Sequence, residues 1–199
     1  MPADLRGGSV IRAARAQSLA CDKELVALVA NGQFEALGGL FDQYEPDVRR
    51  FIGRLGVSAS DVDDLVQTTF LEVIQAAPRF DTAFPVKSWL FGLAIMMVRR
   101  QRRSASRAAA SLLTWARSLL TEAPPTPAAD FERDQELQRF HGAFVRLSSK
   151  KREVFTLVAL EGLSGEEVAR TLGVPVATVR TRLHNARLEL RASLAEVEP

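Results

Sequence analysis

The 199-residue chain carries 26 Lys and Arg against 24 Asp and Glu, with 47% hydrophobic and 7% aromatic residues, a balance that supports packed cores and excludes global disorder. One cysteine, Cys21, excludes an internal disulfide, and with only two histidines, both far from it, no zinc-ligand spacing exists; no cofactor or metal is expected. The longest apolar run, Trp89–Val98, includes Gly92 and is too short to cross a bilayer, and the first twenty residues lack the apolar core of a secretory signal. The acid-poor, arginine-bearing start reads as a tail, with a transit peptide as the lesser alternative, and the expected location is the cytoplasm.

Charge is segregated along the chain. Asp61–Asp64 holds three aspartates, whereas Arg99–Arg107 holds five arginines and no acid, which points to separate surfaces for separate partners. Nearly every periodic stretch is helical. Lys23–Ala30, Phe34–Tyr44 and Pro46–Leu55 form a first amphipathic set after a tail of residues 1–22.

Ser60 is predicted to N-cap a helix that runs to about Ala77, where Pro78 stops it. In that helix Val62, Leu65, Val66, Phe70, Val73 and Ile74 share an apolar side. The opposite side carries Asp61, Asp64, Gln67, Thr68, Glu72 and Gln75, with Leu71 among them. A leucine flanked by carboxylates and amides suits protein docking, with charge steering the encounter and the leucine filling a pocket. Single exposed leucines are also common, and acids favour helix N-termini, so physics alone leaves the two readings level.

A loop from Arg79 to Val86 precedes a helix predicted over Lys87–Arg103. Phe80, Asp81, Phe84, Lys87 and Trp89 come just before a basic helix end formed by Arg99, Arg100, Arg102 and Arg103. Aromatics beside arginines suit single-stranded DNA, whose bases stack or enter pockets while cations hold the phosphates. Trp89, Phe91 and Leu93 also fit a core, and for Trp89 and Phe91 the core reading is preferred.

Beyond Arg103 the composition changes. Ser104–Ala110 is small and basic, Ser111–Leu120 weakly apolar, and Glu122–Ala129 a proline-rich linker. These shifts divide the chain into an all-helical domain over 23–104, a linker over 105–130 and a second all-helical domain over 131–195.

The strongest local signal lies in that second domain. Ser164 and Glu167 form a capping box that opens a short helix with Val168, Ala169 and Leu172 inward. Gly173 ends it, Pro175 stiffens the connection, and a second helix starts near Val176. This is the helix-turn-helix pattern, which lays its second helix in a DNA major groove. Val176, Val179, Leu183, Ala186 and Leu190 share its inner face, while Arg180, Thr181, His184, Asn185, Arg187 and Arg191 project outward. Guanidinium grips guanine or phosphate in a bidentate way and an amide reads adenine, so Arg180, Thr181, His184 and Asn185 are expected near bases, with Arg187 and Arg191 nearer phosphates.

Four motifs in order resemble the extracytoplasmic-function (ECF) group of the sigma-70 family. They are Leu40–Tyr44, Asp63–Leu71, Lys87–Ala94, and Glu161–Ala169 with Val176–Arg187. The resemblance spans about Glu24 to Leu194 and omits the tail. It implies that the helix of Asp61–Gln75 docks on the clamp helices of the polymerase β′ subunit. Phe80–Arg103 would then capture the unwound non-template strand of the −10 promoter element, and the C-terminal helix-turn-helix would read the −35 element as duplex. The linker would thread toward the polymerase active-site channel, with the β flap meeting the first C-terminal helices.

The implied partners are core RNA polymerase, promoter DNA and an anti-sigma factor that can hold the chain at the inner membrane. No small-molecule substrate and no covalent chemistry are expected. Two departures stand out: Ile95 and Met96 occupy the place of the family's usual Arg-Asn pair, and Asn185 stands where arginine is common. The first moves the expected −10 phosphate contacts to the Arg99–Arg103 cluster.

Overall fold

The computed structural model describes residues 22–116 and 135–195, so the tail and the proline-rich linker lie outside the described residues. Helix α1 (22–30) is followed by α2 (Glu35–Arg54), α3 (Ala59–Ala76), a 3-10 turn (Ala77–Arg79) and α4 (Val86–Ala116). Then come α5 (Gln135–Arg146), α6 (Ser149–Phe155), a wider π turn (Thr156–Leu160), α7 (Gly165–Leu172) and α8 (Val176–Ala195). The fold is all-α, with no strand among the described residues. Two compact units result: one runs to Ile95 and takes in Arg170–Gly173, and the other runs from Met96 to Ala169 and resumes at Val174.

In the first unit α2 buries Leu40, Tyr44, Val48, Phe51 and Ile52, a stripe at helical spacing. Phe51 stacks on Phe91 of α4, with ring centroids 4.2 Å apart and planes inclined 18°. Beside that stack Lys87 pairs with Asp47 at 2.6 Å and its Nζ lies 5.6 Å from the Phe91 ring centroid. Burial tends to raise the Asp47 pKa, but Lys87 and Arg50 outweigh it and hold the carboxyl below its ordinary value.

Asp22, assigned to the tail on sequence, is instead buried in the first turn of α1. It accepts hydrogen bonds from Gln43 Nε2 (2.6 Å) and from the Tyr44 hydroxyl. A carboxylate with two donors tolerates burial, whereas one without would not. Burial first, and then the Asp22 carboxylate, push the Tyr44 pKa up.

Two helix boundaries, in α2 and α3, differ from the sequence expectations. Pro46 lies inside α2 and does not divide it. The proline cannot donate to the Asp42 carbonyl, but it sits on the exposed side while Tyr44 and Val48 hold both halves against one core. α3 begins at Ala59 with Ser58, not Ser60, at the N-cap, and the two serine hydroxyls lie 2.8 Å apart in a mutual hydrogen bond. The other end of α3, at Ala76, agrees with the expected stop near Ala77, and Pro78 falls in the first turn of the 3-10 segment that follows, where a missing N–H costs nothing.

α4 continues past Arg103 to Ala116. Its distal half is rich in alanine and free of Gly and Pro, a composition with high helix propensity. One compact unit ends at Ile95 and the other begins at Met96, both within α4.

The second unit packs Ala143, Phe144 and Leu147 of α5 and the turn after it against Ala186 and Leu190 of α8, with Phe140 and Phe155 alongside. Buried Arg152 closes the C-terminal end of α5 by donating to the carbonyls of Phe144 (3.3 Å), Val145 and Leu147 (2.9 Å). A helix leaves its last carbonyls without internal partners, and a cationic fork is well suited to satisfy them.

Candidate nucleic-acid and docking surfaces

The capping box forms as read. The Ser164 amide donates to Glu167 Oε2 at 2.9 Å, and the Glu167 amide donates to Ser164 Oγ at 3.2 Å. Val168, Ala169 and Leu172 are buried beneath α7. Gly173 then adopts φ +63°, a left-handed angle that a side chain would strain, and Val174 N–H returns to the Ala169 carbonyl at 3.0 Å. Ser164→Ala with Glu167→Ala is expected to lower stability by about 0.5–2 kcal/mol, measured by thermal melting.

The turn fixes how α8 departs. Val179, Ala186 and Leu190 are buried, and Val176 and Leu183 half-buried. Arg180, Thr181, His184, Asn185, Arg187 and Arg191 are all exposed, so one convex face presents three guanidiniums, an imidazole, an amide and a hydroxyl. Thr181 Oγ1 donates to the Ala177 carbonyl at 3.0 Å, leaving its lone pairs to accept from a base or water. Leu188, 50% exposed, lies in the middle of this polar face and was not singled out on sequence, although helical spacing from Arg180 and His184 puts it there.

On α3, Leu65, Val66, Thr69, Phe70 and Val73 are buried, with Val62 and Ile74 half-buried. Thr69 belongs to the core because its hydroxyl donates to the Leu65 carbonyl at 2.6 Å. On the other side Asp64, Gln67 and Gln75 are exposed, Asp61, Thr68 and Glu72 half-buried, and Leu71 is 62% exposed. The neighbouring Asp63 pairs with Arg49, which also pairs with Glu45. These bonds hold the Arg49 pKa above its ordinary value.

Leu71, Gln67 and Phe70 form one wall of a groove of about 390 Å³ whose other wall is Phe34, Leu37, Gly38 and Phe41 of α2 and the turn before it. Phe34 is 55% exposed there. Sequence reading missed it, because a residue at the start of an amphipathic stretch reads as core.

The loop before α4 is ordered by Asp81, whose Oδ1 accepts from the Ala83 amide at 2.9 Å while its carbonyl accepts from the Phe84 amide at 2.8 Å. Phe80 and Trp89 are half-buried against each other, with ring centroids 4.8 Å apart. Phe84 is buried, and Arg170, grouped with the same unit, pairs with Asp81 at 2.6 Å and lies 4.7 Å from the Phe84 ring centroid. Phe91 and Leu93 are core residues.

Arg100 and Arg103 are exposed and Arg102 half-buried. Arg99 differs: it makes a two-bond fork with Glu153, Nε at 3.0 Å and an Nη at 2.5 Å, and Glu153 is buried. The Glu153 bonds raise the Arg99 pKa against an opposing effect of burial. Among the described residues no group of three His, Cys, Asp or Glu side chains could hold a metal ion, and no helix is long and apolar enough to cross a membrane.

Comparison with known proteins matches residues 40–108 to the family model of sigma-70 region 2 and residues 137–190 to that of sigma-70 region 4. The chain is 30% identical over 181 residues to RNA polymerase sigma factor CnrH of Cupriavidus metallidurans, covering 87% of this chain and 94% of that one. It is 31% identical over 188 residues to ECF RNA polymerase sigma factor SigC of Mycobacterium tuberculosis, covering 89% and 94%. Among solved structures it resembles CnrH in complex with the cytosolic domain of CnrY, with a TM-score of 0.63 and 28% identity over 89% of this chain and 99% of that chain. It also resembles the sigma factor RpoE in complex with the anti-sigma factor NepR from Bartonella quintana, with a TM-score of 0.59 and 25% identity over 81% and 98%.

Proposed function

Because the chain belongs to the ECF group of the sigma-70 family, and is thus an RNA polymerase sigma factor that directs core polymerase to promoters, we propose how its surfaces divide that work. The polar face of α3 (Asp61, Asp64, Gln67, Thr68, Leu71, Glu72 and Gln75) docks on the β′ clamp helices. The observation that carries this assignment is Leu71, 62% exposed on a helix whose other large apolar side chains turn inward. A DNA-binding regulator that merely recruits polymerase would need the helix-turn-helix but not this face.

The loop and helix of Phe80, Asp81, Phe84, Lys87 and Trp89 hold the non-template strand of the −10 element, with Arg100, Arg102 and Arg103 on its phosphates. Arg99 joins them only on leaving Glu153, since its fork is otherwise occupied. The outer face of α8 reads the −35 duplex, Arg180, Thr181, His184 and Asn185 at bases and Arg187 and Arg191 at phosphates. The β flap meets the helices before α8.

The chain performs no covalent step in this scheme. It contributes binding free energy for the melted promoter and so shifts the opening equilibrium, while polymerase makes the RNA. Its place is the bacterial cytoplasm. The relatives solved with CnrY and NepR support a partner that covers these surfaces, and such a partner could retain the chain at the inner membrane.

Core polymerase mixed with this protein, and no other sigma factor, should yield a specific transcript from a target promoter. Folded protein that supports none on a promoter mapped by overexpression would refute the assignment. Arg180→Ala should weaken −35 recognition by about 1–3 kcal/mol and leave core binding unchanged. Promoter selectivity indistinguishable from the parent would remove Arg180 from the base contacts.

A further inference from the structure

The groove between α2 and α3 leaves Phe34 (55% exposed), Phe41 (37%) and Leu71 (62%) open to solvent, an apolar surface that favours being covered. We propose that the chain's own N-terminal tail occupies it, Val10 and Ile11 filling the groove and Arg12 and Arg15 pairing with Asp42 and Glu35. As a consequence the tail covers Leu71 and competes with core polymerase, a step that rests on the reading of the α3 face given above.

The path of the chain carries the argument. The tail joins the fold at Asp22, which is bonded to Gln43, and Leu25 of α1 packs against Gly39. At 100° per residue Gly39 and Gln43 lie on the side of α2 opposite Phe34 and Phe41. Between these two sides, one way round is core, occupied by Leu40 and Tyr44. The other way is solvent, and its exposed residues include Glu35 and Asp42. A segment leaving Asp22 for the groove therefore crosses two carboxylates. Neither has an ion pair among the described residues.

The tail has the matching chemistry. Residues 1–21 contain Arg6, Arg12 and Arg15 against the single acid Asp4, with Val10 and Ile11 immediately before Arg12. Passing half-way round a helix needs roughly 15 Å, and the residues from Arg15 to Asp22 reach roughly 25 Å when extended. Tethering raises the effective concentration to roughly the millimolar range, so a modest intrinsic affinity suffices. A second copy of the fold would bring the same acidic rim toward this one, and like charges oppose that pairing.

The test places p-benzoylphenylalanine at Phe34, and separately at Leu71, in the full chain. After irradiation, tryptic mapping should find an intramolecular cross-link to the Gly7–Arg12 peptide. Arg12→Glu with Arg15→Glu, in which the linked tryptic peptide becomes Gly7–Lys23, should reduce the cross-link yield at least about fivefold, and adding Glu35→Arg with Asp42→Arg should restore it. A cross-link that joins two copies, or none to residues 1–21, overturns the proposal without reference to polymerase. In the second arm the Arg12→Glu, Arg15→Glu chain should bind core polymerase about tenfold more tightly than the parent. Unchanged affinity overturns the competition while leaving the docking role of α3 standing, because Leu71→Ala tests that role separately.

Discussion

Phe51→Ala is expected to destabilise the protein by about 3–5 kcal/mol, the range for emptying a buried aromatic site. Phe51 has no exposed surface and stacks on Phe91, which has none either. Its loss would remove both the burial and the ring–ring contribution, itself about 0.5–1.5 kcal/mol. A native stability of about 5–15 kcal/mol makes this a large fraction of the total.

The consequence reaches the loop before α4. Phe51–Phe91 and Asp47–Lys87 are neighbouring links between α2 and α4, and α4 starts directly after the loop that holds Phe80 and Phe84. Urea denaturation should show a lower midpoint with an unchanged slope, and Phe51→Leu, which keeps more of the volume, should fall well short of the alanine loss. A change below about 1 kcal/mol for Phe51→Ala would mean that this stack does not hold the unit together.

The apolar stripes of α2, α3, α7 and α8 were legible because burial imposes a period near 3.6 on local sequence. So was the turn between α7 and α8, since Ser164, Glu167 and Gly173 act on backbone groups within a few residues of themselves. What escaped depends on partners distant in sequence. Glu153 reads as a solvated acid in a basic stretch, yet it is buried by a bond to Arg99, 54 positions away. Asp22 reads as the end of a tail, and only Gln43 and Tyr44 make its burial tolerable.

Helix continuity escaped for a different reason. Pro46 is a local stop signal that tertiary packing on both sides overrides, and α4 runs on past Arg103. Its distal half is alanine-rich, so the continuation is signalled by helix propensity more than by a strongly apolar stripe. The candidate surfaces were read more completely than the groove beside them. Polar faces announce themselves by composition, but an apolar wall such as Phe34 is assigned to the core unless its neighbours are known.

Asp64→Ala combined with Leu71→Ala is expected to weaken core-polymerase binding by about 2 kcal/mol or more, roughly thirtyfold. The two changes should act differently. Asp64 is exposed and its carboxylate has no ion pair among the described residues, so its removal should slow association and flatten the salt dependence. Leu71 would fill a pocket on the partner, so its truncation should speed dissociation. Neither residue supports the fold, and stability should stay within about 0.5 kcal/mol of the parent. Measured in a chain lacking residues 1–20, the comparison is independent of whether the tail occupies the groove. Duplex binding through α8 should be unaffected and serves as the control for folding. If both rate constants match the parent in that background, the α3 face is a solvated surface with one stray leucine, and the contact with polymerase must be sought elsewhere on the first unit.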